Sequence, residues 1–159
     1  MTHDRRSILG AIPALAAAAL WAGDSAAQHP SSGEELMAAN RAFDEALSRL
    51  DIAAIEALSL QESHVMAIHP SARQITFGWD AVRKSWQAVA ERFAELSVKL
   101  ESPQAVVSDN VGWVAGTEVV SGKRKTGETV TYTALTTNIF EKRNGRWLLS
   151  AHLTARLPS

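Results

Sequence analysis

Proton transfer near neutral pH is the chemistry most open to this sequence, because imidazole ordinarily titrates near ~6.5. The chain has five histidines, and two of them stand in one stretch, HVMAIHPSARQITFGWDAVRKSW, from His64 to Trp86. His69 is followed by Pro70, which has no N–H to give to a ladder and so ends a strand with the imidazole at its tip. Alternation puts His64, Met66 and Ile68 on one side and Val65, Ala67 and His69 on the other, so His64 and His69 do not share a ligand. No His-x-His or His-x₃-His spacing occurs beyond residue 27, and no metal site is expected. The chain lacks cysteine, which excludes disulfides, thiolate catalysis and cysteine-held metal. No Gly-x-Ser-x-Gly elbow accompanies the serines, and no cofactor is expected.

These residues need elements to position them. Leu36, Asn40, Phe43, Leu47 and Leu50 mark one helical face starting near Ser32, with Glu34 and Glu35 in its first turn. Asp51 is placed to cap a second short helix over Ile52, Ile55 and Leu58. After the strand ending at His69, Gln74–Phe77 is a short partner strand, and Gly78 opens a helix with Val82, Trp86, Val89 and Phe93 on its buried face. Residues 96–107 form a long strand with Pro103 at a bulge or an edge. Three more strands follow, 111–120, 129–140 and 147–154, the last two joined by Asn144-Gly145, a pair that tolerates positive φ. Helices segregated against an antiparallel meander make an α+β fold.

Along the later strands, Trp113 and Thr117 share a face and are candidate pocket residues, as are Tyr132 and Asn138, which by alternation share a face with Ala134 and Thr136. His152 falls with Ser150 opposite Trp147, Leu149 and Ala151, and periodicity leaves open whether it faces a cavity or a subunit interface. Trp86 reads as core, Asp80 as a first-turn residue, and Lys123-Arg124-Lys125 as a solvated hairpin tip.

A chain of 159 residues with 46% hydrophobic content suits one domain. Its formal charge of -1 gives no bias toward nucleic acid or anionic membrane. At the N-terminus, Arg5-Arg6 precedes an apolar, alanine-rich run and the small residues Ser25-Ala26-Ala27. This is the plan of a twin-arginine export signal, residues 1–27, cleaved after Ala27. A polar lead-in, 28–33, and a folded domain, 34–157, follow. The mature protein is then expected in the periplasm or outside the cell, free of the membrane.

The order of elements, with Ala39-Asn40-Arg41-Ala42-Phe43, Ile68-His69-Pro70, Gly78-Trp79-Asp80-Ala81-Val82, Thr137-Asn138-Ile139-Phe140, Asn144-Gly145-Arg146-Trp147 and Ser150-Ala151-His152, resembles the SnoaL-like branch of the nuclear transport factor 2-like, or ketosteroid isomerase-like, superfamily. The resemblance implies a cone, with three N-terminal helices packed on a curved, mainly antiparallel sheet around a pocket. It also implies homodimers formed through the outer sheet face. His69-Pro70 corresponds to the Asp-Pro that carries the isomerase's general base. The isomerase's oxyanion donors, a tyrosine and a protonated aspartate, correspond to Phe43 and to the Thr136–Asn138 region, so classical steroid isomerisation is not expected. Asn138 or Tyr132 remains as a possible donor. The expected partner is a small apolar or carbonyl-containing molecule, bound without catalysis or, alternatively, deprotonated by His69.

Overall fold

The computed structural model describes residues 31–158; the expected export signal lies outside them. Helix α1, Ser32–Ser48, begins with a reciprocal cap. The Ser31 hydroxyl accepts from the Glu34 N–H at 3.3 Å, and the Glu34 carboxylate accepts from the Ser31 N–H at 2.7 Å. The helix stops in a Schellman turn: Leu50 adopts φ 55°, Asp51 N–H reaches the Ala46 carbonyl at 3.0 Å, and Leu50 N–H reaches Leu47 at 2.9 Å. Asp51 at once caps α2, Ile52–Ala57, by accepting from Ala54 N–H at 3.0 Å. The end of α1 and the start of α2 are therefore two caps back to back at Asp51.

Strand β1, Met66–Ile68, pairs antiparallel with β2, Thr76–Phe77. Gly78, at φ 80°, turns the chain into α3, Trp79–Arg92, in a backbone region where a Cβ would be strained. In chain order that helix follows β1 and β2, so the helices are not an uninterrupted N-terminal block. It runs without a loop into β3, Phe93–Ser108, so Phe93, expected on the helix, begins the strand. Strands β4, Val111–Arg124, β5, Thr129–Arg143, and β6, Arg146–Arg156, complete the meander. The hairpin tip is tighter than the expected strand ends at 120 and 129 imply, since β4 continues to Arg124. The six strands lie in the order β2-β1-β6-β5-β4-β3, with only β1 and β6 parallel. Pro103 sits in a register shift of β3, between Glu101 and Gln104, on an edge strand, so both of its expected roles apply.

One face of this curved sheet packs on the helices. Phe43, Leu36 and Ile55 from the helices meet Val114, Val120 and Phe140 from the sheet, each at most 2% exposed. Full burial of a side chain of this size contributes about 1.5–3 kcal/mol. Among the described residues, no helix is long and apolar enough to cross a membrane.

Candidate functional site

Between α3 and the inner sheet face lies an open-ended cavity of about 360 Å³, within the size range of small-molecule sites. Its lining includes His69, Ser85, Trp86, Glu118, Tyr132 and His152. His69 reaches it because Ala67 in β1 and Val65 just before the strand point inward, and the same parity brings His69 to the inside just beyond it.

The tautomer of His69 follows from its neighbour. Ser85 has one hydroxyl proton, and it is donated to the Val82 carbonyl at 2.6 Å. His69 Nε2 lies 2.8 Å from the same oxygen and must therefore be the donor. Nδ1 is left with a lone pair and has no hydrogen-bond partner among the described residues. Trp86 stands edge-on to the ring, 4.5 Å between centroids. Burial pushes the His69 pKa down to about 4, and the Arg92 guanidinium adds to the effect. The imidazole is thus neutral and oriented at neutral pH.

His152 lies 6.2 Å from His69, centroid to centroid, and is buried. It belongs to a directed chain of side chains. Asp44 Oδ2 accepts from Asn40 Nδ2 at 2.9 Å, and Asn40 Oδ1 accepts from Asn138 Nδ2 at 2.8 Å. Asn138 Oδ1 then accepts from His152 Nδ1 at 2.8 Å, which leaves His152 Nε2 to accept from the Thr154 hydroxyl at 2.7 Å. With Asp44 Oδ2 accepting at one end, each donor and acceptor along the line follows from the one before it. Burial, with His69 nearby, holds the His152 pKa down at about 3.

Two carboxyls complete the interior. Glu118 is 2% exposed and its Oε1 lacks a hydrogen-bond partner. Burial pushes it up to about 7, against a smaller opposing pull from the Thr136 hydroxyl. Asp44 is raised to about 7 by burial and by the Glu118 charge, with Asn40 opposing. Glu118 therefore offers the cavity a carboxylic acid proton on the acid side of neutrality, while His69 offers a lone pair.

Of the residues expected at the pocket, His69, Tyr132 and His152 line the cavity. Asn138 does not: it is fully buried behind His152, and both ends of its amide are already used. Trp113 and Thr117 stand on the opposite sheet face. Their parity is that of Ala115 and Val119, whereas Val114, Glu118 and Val120 point inward, and Trp113 is 37% exposed. The even alternation assumed for the last strand also fails. A bulge pairs Ile139 with Ala151 and Phe140 with Leu149, leaving Ser150 over, so His152 shares the inner face with Leu149. Ser150 donates across the bulge to the Ile139 carbonyl at 3.2 Å. His64 faces away, 2.7 Å from Glu141 and 3.4 Å from Glu62. Phe43 lies beneath the site, 5.6 Å from the ring centroids of both Trp86 and His152.

Glu118 and Asp44 were not singled out in the sequence. Strand alternation with Val114 and Val120 was the signal for Glu118, and the (i, i+4) position after Asn40 was the signal for Asp44. Among the described residues, no three His, Asp or Glu side chains converge in a way that could hold a metal ion.

Comparison with curated protein sequences gives no significant match. Solved structures share the fold at low identity. A nuclear transport factor 2-like family protein from Streptomyces avermitilis, proposed to be a dehydratase, is 21% identical with TM-score 0.72, covering 79% of this chain and 96% of that one. A nuclear transport factor 2-like superfamily protein from Salmonella enterica serovar Typhimurium is 17% identical with TM-score 0.73, over 80% and 92% of the two chains. A ketosteroid isomerase-like protein from Erwinia carotovora atroseptica is 18% identical with TM-score 0.69, over 82% and 100%. The SnoaL-like domain model matches residues 36–154, nearly all of the described fold, and the chain belongs to that family.

Proposed function

We propose that this SnoaL-like protein binds a small carbonyl-containing molecule in its cavity and that His69 takes a proton from it. The observation that carries the reading is the Ser85–His69 hydrogen bond, which fixes an imidazole at the cavity wall with its Nδ1 lone pair unspent. The proton would pass from carbon to Nδ1 and return to another atom of the same molecule, as in an isomerisation or cyclisation. His69 becomes a cation on protonation, so the step needs negative charge developing close by, on an oxygen that the Glu118 carboxyl can hydrogen-bond. A non-catalytic binding module is the second reading. It is favoured by the consumption of Asn138 within the buried chain and by Phe43 lacking a hydroxyl.

Deuterium uptake from heavy water into a panel of cyclic and aryl ketones, followed by proton NMR, separates the two. His69→Ala is expected to exchange about 10²–10⁴-fold more slowly than the parent while still binding the same ketones. Equal exchange by both proteins, or none by the parent, leaves the binding reading.

Homodimerisation through the outer sheet face belongs to the same proposal. It is supported by the apolar exposure of Leu135 at 55%, Val106 at 43% and Trp113 at 37%. Sedimentation of Leu135→Asp beside the parent checks it; a monomeric parent ends the idea. Export is proposed from the sequence of residues 1–27 alone, and a mature N-terminus at Gln28 is the expected result of Edman sequencing.

A further inference from the structure

The open end of the cavity is built from the last residue of α3, the end of β4, the start of β5 and the end of β6. Each of three of these elements contributes an arginine to the lining: Arg92, Arg124 and Arg156. Arginine stays charged at any working pH. Glu118 is the one acidic residue in that lining, and it sits deep and buried whereas the three arginines are exposed at the rim. The protein as a whole carries -1, so this concentration of positive charge belongs to the cavity mouth. Arg124 has only a solvent-exposed contact to Glu128, at 3.5 Å. Arg92 and Arg156 have no carboxylate within ion-pair distance among the described residues. Arg156 instead lies over the Tyr132 ring, 4.9 Å from its centroid, and is thereby held at the cavity mouth.

Below the rim the wall turns apolar, with Trp86, Val89, Val98 and Val120. Two buried polar atoms of the lining remain unpartnered there, Glu118 Oε1 and the Trp86 indole N–H. A cavity with cations at its mouth, an apolar waist and unspent hydrogen-bonding groups deeper in matches a molecule with an anionic head and an apolar body carrying a polar group.

We propose that the ligand is an amphipathic oxyanion, a carboxylate or a phosphate monoester, with its head at Arg92, Arg124 and Arg156 and its body against Trp86 and Val120. This rests on the reading that the cavity binds a small molecule, and it specifies the class. The rim charges also attract such a ligand from a distance and disfavour cations.

Isothermal titration with 4-phenylbutanoate, 4-phenylbutyl phosphate and the neutral 4-phenylbutanamide tests it, since the three share a body and differ in the head. At low salt one or both anions are expected to bind about tenfold more tightly than the amide, the sum of several modest exposed ion pairs. Which anion leads tells carboxylate from phosphate. The advantage is expected to vanish in Arg92→Gln/Arg156→Gln and to shrink at about 1 M salt, where the screening length is ~3 Å. The arginines are exposed, so this variant retains its fold, and circular dichroism verifies that. An amide that binds as well as the anions, or an anion preference that survives the double substitution, overturns the proposal and leaves the cavity reading intact. Absence of binding by all three overturns it too, and the ketone exchange assay then judges the cavity reading separately.

Discussion

Replacing Asn138 by leucine is expected to destabilise the fold by about 2–6 kcal/mol, although the two side chains are close in volume and the site is fully buried. The loss comes from the neighbours. Among the described residues, Asn138 alone links His152 Nδ1–H, which it accepts, and Asn40 Oδ1, to which it donates. Leucine leaves one buried donor and one buried acceptor without a partner, and each such orphan costs about 1–3 kcal/mol. Against a total stability of ~5–15 kcal/mol for a domain, a loss of that size is large. Urea denaturation of the two proteins measures it. A change below about 1 kcal/mol means that the chain from Asp44 to Thr154 reorganises freely and does not hold His152 in place.

That chain also shows where reading the sequence succeeds and where it stops. Strong local signals carried through: the start of α1 at Ser32 with Glu34 and Glu35 in its first turn, the Asp51 cap, the helical face of Val82, Trp86 and Val89, and the Asn144-Gly145 turn, at φ 49° and 77°. Each depends on residues spaced no more than four positions from the next. Alternation likewise grouped Trp113 with Thr117 and separated His69 from His64. What alternation cannot give is which side of a sheet faces in, because that is decided by the helices that cover it. Trp113 and Thr117 were therefore grouped correctly and placed on the wrong face. The bulge at Ser150 was hidden for a related reason. It is a mismatch between two strands, β5 and β6, and nothing in β6 alone records it. Glu118 was overlooked because glutamate in a strand usually faces water. Only the inward parity of Val114 and Val120 argues otherwise, and that too requires knowing the inner face.

Glu118→Gln is expected to stabilise the protein increasingly as pH rises. The Glu118 carboxyl titrates at about 7 in the fold against its usual 4.5. Below pH 4.5 folded and unfolded chains both hold the proton, and the group does not affect stability. Between 4.5 and about 7 the unfolded chain releases the proton and the folded one keeps it, so the parent loses stability as pH rises. The full loss, on the order of 3 kcal/mol, is reached above about pH 7. Glutamine keeps the shape of the neutral acid and escapes that loss. It also removes a charge that raises Asp44, so both carboxyl effects change in the same direction. The buried histidines act on the other side. Their folded pKa values are depressed to about 4 and about 3, so the stability they contribute is present above 6.5 and is lost as pH falls toward those values. From about pH 4.5 to 6.5 the unfolded chain binds two protons on His69 and His152 while the folded chain holds two on Asp44 and Glu118. Parent stability is therefore expected to be flat across that window. Removing Glu118 breaks the balance, and the variant should then gain about 1.4 kcal/mol per pH unit there. Urea midpoints of both proteins from pH 5 to 8.5 measure the difference. A difference that does not grow with pH means that Glu118 ionises inside the cavity at its ordinary pKa. The carboxyl could then not supply a proton to the cavity that it shares with His69.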